Sequence, residues 1–201
     1  MKRSYFILFC ALALLLAACS TTPTVERKQV DETIDLSGRW NDSDSRLVAD
    51  EMISDCLERP WLTDYRFKHG GQKPTVIVGR VKNRSHEHIN VQTFVKDLER
   101  ALINSGNVRF VASSEEREQI REERLDMATH SSDETMKGPG QEIGADYMLI
   151  GTINTIRDEV SGKAVMFYQT NLELVDLSNN VKVWIGDKKI KKLITQKKVS
   201  W

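Results

Sequence analysis

The chain predicts an α+β domain in which one mixed or antiparallel sheet carries flanking helices. Three patterns predict it. Apolar residues recur at helical spacing from Ser43 to Leu57 and again from Phe94 to Leu102; a β-branched run over 74–81 reads as a strand; and the last third holds three long strand-like segments.

In chain order, Lys2 and Arg3 lead into an apolar stretch over 5–16 that closes on Leu16-Ala17-Ala18-Cys19. This is the layout of a secretory signal peptide. The run is too short for a spanning helix, which needs ~20 apolar residues. Leu, two alanines and a cysteine stand in the order of a bacterial lipobox, so cleavage is expected before Cys19 and lipidation on its sulfur. The alternative is a plain signal peptide with an incidental cysteine. Each buried acyl CH₂ contributes ~0.8 kcal/mol, so several chains would hold the protein at a membrane facing the periplasm. Ser20 stands where the usual inner-membrane retention signal places Asp, which favours the outer membrane.

Residues 1–18 are thus read as the leader, 19–36 as the lipidated N-terminus and tether, and 37–201 as one globular domain. The tether mixes Thr, Pro, Val and charge without either period. Its r.m.s. reach is about 20–25 Å, and it spans about 60 Å when fully extended. Without Lys2 and Arg3 the chain has 27 basic and 29 acidic residues, a balance that suggests neither nucleic acid nor a broad anionic-lipid surface. Beyond Cys19 only Cys56 remains, which excludes an internal disulfide. Helical spacing sets Cys56 beside Met52 and Leu57, as a core residue or, alternatively, a redox-active thiol.

The first helix places Leu47, Val48, Met52, Ile53, Cys56 and Leu57 on one stripe, with start signals over 42–44 and a stop at Pro60. The strand at 74–81 is continuous enough to be central and covered on both faces. A second helix buries Phe94, Val95, Leu98, Ala101 and Leu102 and stops near Gly106. A short strand at 108–111 precedes Ser113 and Glu116, which have capping-box spacing. The charged helix after them offers only Ile120, Leu125, Met127 and Ala128 for contact and pairs Glu118 with Arg121. A short helix is expected near Ser132-Asp133-Glu134, with a hinge at Gly138-Pro139-Gly140. Segments 147–156, 164–177 and 181–194 then form a meander, and periodicity leaves Phe167 and Tyr168 open as core or surface.

Several strings carry a family resemblance: Ser37-Gly38-Arg39-Trp40-Asn41-Asp42-Ser43-Asp44-Ser45 after a lipoprotein leader, Arg117-Glu118-Gln119 with Ser132-Asp133-Glu134-Thr135, and Ile143-Gly144-Ala145-Asp146-Tyr147-Met148-Leu149-Ile150-Gly151. Over most of 36–194 the chain resembles the LpoB family of lipoprotein activators of penicillin-binding proteins. The resemblance implies a fold like the N-terminal domain of TolB and a non-enzymatic outer-membrane lipoprotein that binds and stimulates a peptidoglycan synthase. It also implies a long tether threading the wall, where this chain has a short one. A structural or assembly lipoprotein contacting envelope proteins near its own membrane is the competing reading. A wall hydrolase is the weakest reading, because no Ser-His-Asp order, phosphate loop or paired-Cys motif is present.

Candidate partner-binding residues follow from composition. Arg39, Trp40 and Asn41 form an interface-like loop, against which stands a role for Trp40 in stapling the first helix. Trp61 faces the same choice. Lys188, Lys189, Lys191 and Lys192 make either a cationic patch for an acidic partner or the anionic wall, or an edge protected from aggregation. His86-Glu87-His88 reads as a solvent loop rather than a metal site. No cofactor is expected, and the oligomeric state is open.

Overall fold

Asn41 starts the first helix, in a computed structural model that describes residues 24–30, 32–131 and 142–195. The chain divides into two units, Met1–Glu32 and Thr33–Trp201, and the described helices and strands all belong to the second. Helix α1 (Asp42–Leu57) is capped by Asn41, whose side chain accepts from the Asp44 N–H while the Asp44 carboxylate accepts from the Asn41 N–H. This reciprocal box satisfies two donors that a helix start leaves unpaired. The start signals were expected over 42–44; the cap lies one residue before them, at Asn41. Leu47 also departs from expectation, being 53% exposed. The buried stripe runs instead through Ser45, Val48, Ala49, Met52, Ile53 and Cys56.

Pro60 does not merely stop α1. It is the first residue of a second helix, α2 (Pro60–Lys68), where its missing N–H costs nothing. Strand β1 (Thr75–Arg84), helix α3 (Val91–Asn104), strand β2 (Arg109–Phe110) and helix α4 (Ser114–His130) follow. The Ser113–Glu116 capping box is present. Arg121 is not paired with Glu118 but forms a two-pronged bond to Glu142 at 2.8 and 2.9 Å, and no residue of α4 is buried. The expected short helix near Ser132 and the hinge at Gly138 lie outside the described residues.

Long strands β3 (Tyr147–Val160), β4 (Lys163–Asp176) and β5 (Lys182–Thr195) complete a five-stranded sheet of order β2-β1-β3-β4-β5. The β2, β1 and β3 neighbours run parallel, and β3, β4 and β5 form the antiparallel meander. The fold class is therefore α+β with a mixed sheet, as predicted. On one sheet face Leu149, Ile153, Tyr168, Leu172 and Leu174 are buried, packed with Val48 and Met52 of α1, Trp61 of α2 and Phe94 and Leu98 of α3. At Gly151 any side chain would strike the Asn171 carbonyl at 2.5 Å, so glycine lets β3 and β4 approach there.

Candidate functional site

Strand β5 is the place where the two faces of the sheet can be compared residue by residue, because alternate side chains point to opposite sides. On the helix side, Trp184 donates its Nε1–H to Asp55 at 2.8 Å and Lys188 pairs with Glu51 of α1. Lys192 reaches Asp35 at 2.6 Å, Asp44 at 2.7 Å and the Arg39 carbonyl at 3.2 Å. The Lys192 and Asp44 side chains are only 10% and 9% exposed. Burial alone would pull the Lys192 pKa down, yet its bonds to Asp35 and Asp44 hold it above the usual lysine value. The same bond, from Lys192, keeps the Asp35 carboxyl below its usual range.

Lys189 and Lys191 point the other way and are exposed. The four candidate lysines are thus split two and two: one pair ties β5 to α1 and its approach segment, and the other stands in solvent. Lys189 pairs with Asp187 at 2.9 Å.

The loop before α1 is built into the same corner. The Trp40 ring meets Phe94 and Tyr168 edge-on, at centroid distances of 6.0 and 5.7 Å, and its backbone N–H donates to Glu87 at 3.2 Å. Tyr168, fully buried, donates to the other Glu87 oxygen at 2.8 Å. Burial, reinforced by that carboxylate, raises the Tyr168 pKa. Gly38 sits at φ +70°, and a Cβ there would lie 2.5 Å from Ile194, so the loop needs glycine twice over. Asn41 donates to Asp35 at 2.6 Å. Arg39 is exposed. Trp61 is 6% exposed, packs on Tyr147 at 5.0 Å and donates to the Cys56 carbonyl at 2.7 Å. Cys56 is 1% exposed, and burial pushes its thiol up to about 12.

Between β1 and α3 the His86-Glu87-His88 segment is not the plain solvent loop expected. Glu87 turns inward to Trp40 and Tyr168, and the His86 ring lies 2.9 Å from the Thr155 hydroxyl. Among the described residues no three His, Cys, Asp or Glu side chains converge as metal ligands.

The face of the sheet opposite α1 carries residues that the sequence reading passed over. In register, Arg84, Asn154, Gln169 and Lys189 lie side by side across four strands, with Lys82, Thr152, Asn171 and Asp187 in the next row. Phe167 joins this face, beside Ile156 and Lys191. Arg80, Lys82, Arg84, Ile150, Thr152 and Asn171 line a shallow trough of about 420 Å³. The period-2 spacing of Lys82 and Arg84, and of Gln169 and Asn171, was a usable signal; that these pairs meet across strands was not visible without the register.

The family described as peptidoglycan-synthase activator LpoB matches residues 44–190, a span reaching from α1 into β5. The chain belongs to the LpoB family. Among solved structures, the chain is similar to the LpoB C-terminal domain from Escherichia coli, 17% identical, covering 74% of this chain and 99% of that one, with a TM-score of 0.46. The LpoB C-terminal domain from Salmonella enterica is 16% identical at the same coverages, TM-score 0.44. Lipoprotein GNA1162 from Neisseria meningitidis is 15% identical, covering 60% of this chain and 83% of that one, TM-score 0.41. A comparison with curated proteins returned no match. The LpoB match includes Trp61 and all of Lys188 and Lys189, while Arg39, Trp40, Asn41, Lys191 and Lys192 fall outside it. No described helix is long and apolar enough to cross a membrane.

Proposed function

We propose that this protein is a lipid-anchored envelope regulator that binds a penicillin-binding protein and raises its peptidoglycan synthase activity without chemistry of its own. The observation that carries the reading is the LpoB family match across the domain. In this reading Cys19, outside the described residues, bears the acyl chains and holds the protein at the outer membrane. Arg39, Lys189 and Lys191 are the candidates whose side chains are open to a partner. Trp40, Asn41, Lys188 and Lys192 contribute by fixing the loop and strand that present them, and Trp61 by holding α2 on the sheet.

A second reading, an assembly lipoprotein acting near its own membrane, is favoured by one specific observation. The second unit begins at Thr33, and Asp35 is already bonded to Lys192, so only residues 19–32 lie between the proposed anchor and that unit. A glycan polymerisation assay with a purified bifunctional synthase separates the two. Faster polymerisation with the wild-type protein, reduced by Arg39→Ala or by Lys189→Ala with Lys191→Ala, supports the activator. An unchanged rate, with co-purification of outer-membrane proteins alone, supports the assembly role. Metabolic labelling with palmitate, lost in Cys19→Ser, tests the anchor.

A further inference from the structure

The open face of the sheet holds charge that its own ion pairs do not account for. Glu173 pairs with Lys182 at 2.8 Å and Asp187 with Lys189 at 2.9 Å. Arg80, Lys82 and Arg84 on β1 and Lys191 on β5 have no ion pair among the described residues. Edge protection explains cations at the two margins. It does not explain the strip between them, where Thr152, Asn154, Gln169 and Asn171 stand on β3 and β4, both paired on each side. Asparagine is depleted in strands, and here two occupy paired interior strands. Their carboxamides are only partly used: Asn154 donates to Thr152 at 3.2 Å and Gln169 to Asn171 at 3.1 Å, which leaves other donors and acceptors facing out.

We propose that this face binds the carboxylate-bearing glycan of the cell wall, with the arginines and lysines on peptide carboxylates and the amide strip on sugar hydroxyl and acetamido groups. The proposal rests on the envelope location of the regulator reading and adds a ligand to it. Four strands at ~4.8 Å span about 14 Å, and alternate residues along β1 lie ~7 Å apart, a field wide enough for a disaccharide with its stem peptide. Guanidinium groups match carboxylates in two-pronged geometry. An acidic protein surface would want a desolvated aromatic anchor at the centre, whereas the centre here is amide and hydroxyl and Phe167 stands to one side.

The test is co-sedimentation of the full chain, in detergent, with purified protein-free sacculi across a salt series, alongside the synthase assay. Binding that weakens with salt is expected. It should fall about tenfold or more in the triple variant Arg80→Ala, Lys82→Ala, Arg84→Ala, fall less in Lys191→Ala, and persist in Lys68→Ala on α2, with Tm unchanged throughout. Sacculus binding by the wild type that is lost in the triple variant, without synthase stimulation by either, supports the site while overturning the regulator reading. Equal sedimentation of wild type and triple variant overturns the site. So does an absence of wild-type binding to sacculi; if stimulation is then lost in the triple variant, the face belongs to an acidic protein partner instead.

Discussion

The two faces of β5 use the same residue type for opposite ends. Lys188 and Lys192 are drawn onto α1, where carboxylates meet them, whereas Lys189 and Lys191, one residue away, stand on the solvent side. A one-residue step in a strand moves a side chain from a packed, low-dielectric setting to water. Charge of one sign thus serves stability on one face and remains available for recognition on the other. A lysine count along the sequence cannot tell these roles apart.

The comparison breaks most sharply at Lys192. Removing it by Lys192→Ala leaves Asp44 nearly buried without its cation, and loss of about 3–5 kcal/mol is expected in urea unfolding. Lys191→Ala should stay within about 0.5 kcal/mol. Equal losses in the two variants would mean that the faces are not distinct. Tyr168→Phe, which deletes the hydroxyl shared by Glu87 and the Gly38 carbonyl, should cost about 1–3 kcal/mol by the same measurement. For Asn41→Ala, the lost cap predicts about 1 kcal/mol.

Titration sharpens the comparison with smaller effects. The bond from Lys96, together with the Ser113 N–H, lowers the Glu116 pKa to about 2; bonds from Lys192 to Asp35, from Arg59 and Trp184 to Asp55, and from Arg121 to Glu142 lower those groups as well. A depressed carboxylate pKa stabilises the fold above its unfolded value, so the urea midpoint should fall as pH drops from about 4.5 toward about 2. Lys192 has the opposite sign. Its raised pKa contributes in full below the ordinary lysine value near 10.5 and is lost as pH climbs beyond it. Lys192→Ala should therefore flatten the alkaline limb. In a chain starting at Ser20, Cys56 is the sole thiol, and it should react with a thiol reagent at neutral pH only as fast as the domain unfolds.

Much of the fold was legible because local patterns and tertiary packing agree. The β-branched run became β1, the Ser113–Glu116 spacing became a capping box, and the final third became a meander with boundaries moved by a few residues. The misses share a cause. Helix α2 is short, and its Pro60 reads as a stop until the next residues are seen burying Trp61, Leu62 and Tyr65. Glu87 looked like loop charge because its partners, Trp40 and Tyr168, are 47 and 81 residues away. Of the candidate residues, Trp61 is inside the core, and the Arg80, Lys82 and Arg84 row was unremarked because alternation along one strand is ordinary.

By itself the sequence determined the α+β class, the order of its main elements, the core placement of Cys56 and the LpoB resemblance, since each depends on spacing within a segment or on a contiguous string. Only the tertiary structure decided that Asp44 serves both a cap and Lys192, that Phe167 and Tyr168 part to opposite faces, and that cations on β1 and β5 flank an amide strip. Those outcomes depend on strand register and on contacts between distant segments, which neighbouring residues do not encode.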